Sequence, residues 1–108
     1  MELSFTNTEI RKICEDNTVA KETYGQEVAY KLKSRLADLI AADNVMDLPV
    51  GNIFMYNNGD AYKCKIDLSG GYKIIFCQNH VKVPLDDNGE TNWSKVSRIK
   101  ILQISRNE

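Results

Sequence analysis

Apolar and polar residues alternate at the start of the chain, where Leu3 and Phe5 stand between Glu2, Ser4 and Thr6, and this predicts a short strand. Thr6 with Glu9 three positions on has the spacing of a capping box, and Ile10, Ile13 and Cys14 then share one side of a brief first helix. The polar break Glu15-Asp16-Asn17-Thr18 precedes a second helix in which Tyr24, Val28, Leu32, Leu36 and Leu39 recur at intervals of four, four, four and three. Those residues form one buried stripe, with Lys31, Lys33 and Arg35 on other faces, and the helix runs out near Ala42-Asp43-Asn44. A helical pair is therefore predicted over roughly the first 43 residues.

The period then changes. Turn residues cluster at Asp47-Leu48-Pro49-Val50-Gly51-Asn52 and at Asn57-Asn58-Gly59-Asp60, so Ile53-Phe54-Met55-Tyr56 between them is a strand or an ordered loop. Tyr62 to Leu68, Ser69-Gly70-Gly71 and Tyr72 to Cys77 read as a hairpin, because β-formers flank glycines that supply left-handed turn conformations. With Ser69-Gly70-Gly71 as the loop, Leu68 faces Tyr72, Ile66 faces Ile74 and Cys64 faces Phe76, and one face is wholly apolar. The opposite face collects Lys63, Lys65, Asp67, Lys73, Ile75 and Cys77. A two-residue turn would instead strand Lys73 among Cys64, Ile66 and Leu68, at a desolvation cost of about several kcal/mol. Residues 78 to 95 form a polar connection with the turn Asp86-Asp87-Asn88-Gly89, and Val96 to Ser105 is a final strand. Strict alternation there puts Ser97, Ile99, Ile101 and Gln103 on one face and Arg98, Lys100, Leu102, Ile104 and Arg106 on the other. Lysines and arginines in this pattern are also what a merely solvated sheet face displays.

At 108 residues, 43% hydrophobic and 27% charged, the chain fits one globular domain, 1–108, able to hold a single core. Fourteen basic against fifteen acidic residues give a net charge of -1, so any nucleic-acid binding must rest on a local patch rather than bulk attraction. No apolar run reaches the ~20 residues of a membrane span, and the start has neither a basic nor an apolar leader segment. A soluble, cytoplasmic protein is expected. Cys14, Cys64 and Cys77 are odd in number and lack metal-site spacing, which predicts reduced, mostly structural thiols and no metal or cofactor site.

Several segments in order resemble one family. Tyr24-Gly25-Gln26-Glu27-Val28, Leu32-Lys33-Ser34-Arg35-Leu36-Ala37-Asp38-Leu39, Asp47-Leu48-Pro49-Val50-Gly51-Asn52, Asp67-Leu68-Ser69-Gly70-Gly71-Tyr72-Lys73-Ile74-Ile75-Phe76, Asn88-Gly89-Glu90, Trp93-Ser94-Lys95-Val96 and Ile99-Lys100-Ile101-Leu102 are similar to the HigB-like killer proteins of the RelE/ParE toxin superfamily. The resemblance spans residues 20 to 104. It implies an α+β fold with two N-terminal helices packed on a curved antiparallel β-sheet, encoded beside a neutralising antitoxin. It further implies the toxin half of a type II toxin-antitoxin system that cleaves ribosome-bound mRNA, without a metal, using the 2′-OH as nucleophile. On that basis Lys65, Lys73 and Arg106 are the candidate catalytic residues, and Lys63, Arg98 and Lys100 the candidate RNA-binding residues. Tyr62-Lys63-Cys64-Lys65 resembles the family's paired-lysine strand, and Gly71-Tyr72-Lys73 its Gly-Tyr-Arg with lysine in the arginine position, which loses bidentate phosphate geometry.

Two departures matter for activity. Many relatives end Glu-Ile-x-Asp-Tyr-His, whereas this chain ends Gln103-Ile104-Ser105-Arg106-Asn107-Glu108, so a general acid-base pair is missing. Relatives also tend to carry a histidine after the Gly-Asn turn, where Ile53 and Phe54 stand here. The alternatives are thus a catalytically impaired module that binds an antitoxin, and a ParE-like inhibitor of DNA gyrase. Among lesser candidates, His80 reads as a surface residue, Glu108 as a base on a chain end, Tyr72 as a packing group with a polar tip, and Trp93 as a base-stacking residue or an apolar anchor. Cys77 lies near the lysines and is the most reactive thiol expected. Lys31, Lys33 and Arg35 offer an acidic antitoxin segment a basic helical surface.

Overall fold

The structure, a computed structural model, describes residues 1–48, 53–57 and 62–106. Strand β1 (Glu2–Phe5) leads into three helices, α1 (Thr8–Glu15), α2 (Asn17–Tyr24) and α3 (Gln26–Ala41), and strands β2 (Ile53–Asn57), β3 (Tyr62–Asp67), β4 (Lys73–Gln78) and β5 (Arg98–Ser105) follow. The α+β class is as expected, with two differences. The predicted second helix is two helices, because Gly25 at φ 91°, ψ 167° adopts a backbone conformation open essentially to glycine and turns the chain between them. Tyr24 therefore ends α2, while Val28, Ala29, Leu32, Leu36 and Leu39 form the buried stripe of α3. The sheet is mixed rather than antiparallel. Its order is β1-β5-β4-β3-β2, with β1 parallel to β5 and every other pair antiparallel.

Local chemistry sets the helix ends. Asn7, not Thr6, caps α1: its side chain accepts from the Ile10 N–H at 2.9 Å, while the Thr6 N–H donates to the Ile101 carbonyl. Asp16 closes α1 through its backbone and caps α2 through its side chain, which accepts from Thr18 N–H at 3.0 Å. At the C-terminal end of α3 the α-amino group of Met1 donates to the carbonyls of Leu39, Ile40 and Ala42, placing a cation where the helix dipole favours one.

The helices cover one face of the sheet. Ile13 of α1, Ala20 of α2 and the α3 stripe meet Cys64, Ile66, Ile74, Phe76, Ile99, Ile101 and Ile104, with Trp93 and Val96 closing the same core. Leu3, Phe5 and Met55 pack against it from the two outer strands. The hairpin pairs Cys64 with Phe76, Lys65 with Ile75, Ile66 with Ile74 and Asp67 with Lys73, so Cys64, Ile66, Ile74 and Phe76 all reach the core. Gly70 at φ 66° and Gly71 at φ 82° supply the turn, and Leu68 N–H donates to the Tyr72 carbonyl at 2.7 Å. On β5 strict alternation fails. A register shift opposite Ile75 and Phe76 inserts an extra residue, so Ile101 and Ile104 both face the core and Gln103 moves to the opposite face, the reverse of the predicted sides for Gln103 and Ile104.

The long connection is as the turn residues suggest. The Asp86 side chain accepts from the Asn88 and Glu90 N–H groups at 2.8 and 3.0 Å, with Gly89 at φ 78°. Of the two earlier turn predictions, positions 49–52 and 58–60 lie outside the described residues, whereas Asp47 closes a short 3-10 segment, Val45–Asp47, capped by Asn44.

Candidate nucleic-acid interface

The sheet face away from the helices gathers the candidate residues. Alternation with the buried positions places Lys63, Lys65 and Asp67 of β3, Lys73, Ile75 and Cys77 of β4, Arg98, Lys100, Gln103 and Ser105 of β5, and Glu2 and Ser4 of β1 on it. Five cations thus share this open face with two carboxylates among the described residues, on a chain whose net charge is -1. The positive field is a property of one face, not of the whole molecule.

Each cation has a defined setting. Ile75 is 2% exposed yet lies outside the helix-side core, and Lys65 and Gln103 flank it in the ladder. The Lys65 ammonium sits 4.5 Å from the centre of the Tyr56 ring, and Tyr56 itself stands opposite Lys63 on β2. Lys100 stands opposite Cys77, and the β3–β4 ladder continued by one pair sets Lys63 on the other side of that thiol. Burial pushes the Cys77 thiol up, against the opposing pull of the Lys100 and Lys63 ammoniums, which favour the thiolate. Lys73 pairs with Asp67 at 3.6 Å across the hairpin, and Arg98 pairs with Glu2 at 2.8 Å at the β1 edge.

Of the six candidate residues, five are brought to this face: Lys63, Lys65, Lys73, Arg98 and Lys100. Arg106 is not. Its guanidinium lies 5.2 Å from the Tyr72 ring centre, and Tyr72 meets Tyr24 of α2 edge to face at 5.1 Å, on the helical side of the sheet. The bulge in β5 accounts for this, because it moves the even-numbered positions beyond it toward the helices. Tyr72 is thus a packing group, and the Tyr24 hydroxyl, pushed up chiefly by burial, donates to the Ile104 carbonyl at 3.4 Å.

Other candidates take structural roles. The His80 Nε2 accepts from the N–H groups of Ser97 and Arg98 at 3.0 and 3.3 Å, which ties the long connection to the start of β5. Trp93, 7% exposed, is an apolar anchor of the core and has no face for a base. Arg35 pairs with Asp38 at 3.3 Å and is mostly covered, so of the basic helical trio only Lys31 and Lys33 are exposed. Glu108 lies outside the described residues. Sequence reasoning neither singled out Tyr56 nor placed Gln103 on the open face. Period-two alternation with Met55, which faces the core, would have found the first, whereas the second needs the bulge.

What this arrangement can do is hold an extended polyanion. Lysines two positions apart on β3 stand about 7 Å from one another along the strand, and Lys100 and Lys73 widen the field across two neighbouring strands. Among the described residues no three His, Cys, Asp or Glu side chains are grouped to hold a metal ion, and no helix is long and apolar enough to cross a membrane. Fold and face together define an α+β domain in which the described residues form three helices on one side of a mixed five-stranded sheet and a cationic open side. Compared with protein-family models, curated proteins and solved structures, the chain finds no match in any of the three.

Proposed function

We propose that this protein is a toxin of the RelE/ParE kind, acting on ribosome-bound mRNA and held in check by a cognate antitoxin. The observation that carries the reading is the open sheet face, with Lys63, Lys65, Lys73, Arg98 and Lys100 on one side of a chain that is otherwise net acidic. Attack by a 2′-OH on the adjacent phosphate gathers negative charge on a pentavalent phosphorus centre and on the leaving oxygen, and fixed ammonium groups aimed there lower the barrier. In this reading Lys65 and Lys73 flank the scissile phosphate, while Lys63 and Lys100 hold the neighbouring backbone.

Expression without antitoxin then stops growth and leaves transcripts cut within codons. Lys65→Ala and Lys73→Ala each restore growth while the protein stays folded. Intact transcripts and unimpaired growth in cells that accumulate the folded wild-type protein overturn the reading. A second reading is favoured by a specific observation: Arg106 stacks on Tyr72 away from the lysines, and His80 is engaged by the backbone of residues 97 and 98, so neither stands ready for proton transfer at the face. It makes the protein an antitoxin-binding module that has kept RNA affinity without cleavage. RNA binding with no cleavage of programmed ribosomes separates it from the first.

A further inference from the structure

We infer that Tyr56 is a stacking platform for one unpaired base of a single-stranded RNA whose phosphates lie over Lys63, Lys65 and Lys100. The inference rests on the cationic-face reading above and adds to it the recognition of a base. Tyr56 is half-buried on β2, the outer strand of the sheet, directly opposite Lys63, so its ring is at the rim of the lysine face rather than in the core. Other aromatic side chains are placed differently: Phe5, Phe76 and Trp93 belong to the core, Tyr24 and Tyr72 pack together on the helical side, and Tyr30 is exposed on α3. The Lys65 ammonium at 4.5 Å shows that the ring's electron-rich face is within reach of a group standing on the cationic face.

A positive groove with an aromatic at its edge is the combination by which proteins hold single strands, the cations following the backbone and the ring taking a base. Tyr56, Lys63, Cys77 and Lys100 form one row across four strands, so the backbones that carry the ring and the last ammonium are about 14 Å apart, three strand spacings. As a phosphate approaches, Lys65 exchanges its contact with the ring for one with the anion, and the face it leaves is covered by the base of the same or the next nucleotide. Because every base has a π-face, this subsite selects unpaired RNA over duplex and is tolerant of base identity.

The test is fluorescence anisotropy with a labelled single-stranded RNA hexamer at low salt, using the full chain. Tyr56→Ala weakens binding about five- to a hundredfold, while Tyr56→Phe, which keeps the ring, binds as the wild type does. The dependence of log affinity on log salt is unchanged in Tyr56→Ala but loses about 0.7 of its slope in Lys63→Ala, because only the second removes a phosphate contact. An abasic hexamer abolishes the difference between Tyr56→Ala and wild type. If Tyr56→Ala binds as tightly as wild type while Lys63→Ala and Lys65→Ala bind weakly, the stacking platform is overturned and the cationic face stands. If wild type fails to bind, or the lysine variants bind unchanged, the cationic-face reading falls as well. Far-UV circular dichroism of each variant, with Tyr56→Leu as a ring-free variant of similar bulk, separates loss of the ring from loss of the fold.

Discussion

Three thiols in one small chain show how position sets chemistry. Cys64 is fully buried and its thiol is pushed up to about 12 by burial; Cys14 reaches about 12 through burial and the neighbouring Glu15 carboxylate. Cys77 is raised as well, yet it has two ammoniums beside it and partial exposure, so it is expected to alkylate first and Cys64 last. Peptide mapping after a timed iodoacetamide pulse checks that order. Cys14 and Cys64 also set a pH limit. Their folded values lie above the ordinary 9.0, so the fold favours the protonated forms; the stabilisation is present in full below that value and is lost as pH rises through about 12. Thermal melts followed from about pH 8 to about pH 11 should fall in midpoint, and less steeply in a Cys14→Ala, Cys64→Ala double variant. The Lys73–Asp67 pair is partly exposed and contributes at most about 1 kcal/mol. Asp67→Asn should therefore leave the denaturant midpoint nearly unchanged while tightening RNA binding, because it removes one of two carboxylates from the face.

Among the elements, the hairpin was the most legible in the sequence. Its register followed from one exclusion, that Lys73 cannot sit among Cys64, Ile66 and Leu68, and the observed ladder has the same pairs. The face that carries the lysines was legible for the same reason. The helix break was not, because the apolar stripe runs through Gly25 at an unbroken period; the glycine itself was the available signal, and periodicity outweighed it. The side of Arg106 was also beyond reach, since a bulge adds one residue to one strand without marking it in composition, and every later position changes face. Parallel pairing of β1 depends on a contact between distant parts of the chain, which local pattern does not encode. Gly25→Ala tests the break directly. Nothing crowds the added methyl, so the cost is conformational, about 1–3 kcal/mol in a urea titration.

For the whole molecule, the separation of charge matters more than its total. A chain with a pI near 5.8 should nonetheless be retained on an immobilised polyanion at low salt, because five cations share one face. With three to five phosphates contacted, log affinity for single-stranded RNA should fall with log salt at a slope of roughly -2 to -3.5. A slope near zero would mean that the lysines are only solvated decoration. The pairing of Glu2 with Arg98 has a further, kinetic consequence. During synthesis β1 emerges before the three helices and the strands β2 to β4 and finds its neighbour only when β5 follows, and β4 lacks its second partner until then. Closing so long a loop costs entropy before any contact rewards it, so docking of β1 belongs late on the folding route. Leu3→Ala should then hasten unfolding and leave the refolding rate almost untouched. A ribosome stalled before residue 98 would hold a chain whose lysine ribbon has no completed sheet behind it. The cationic surface would thus become competent only once β5 has docked, a built-in delay between the making of the lysine ribbon and its being able to act.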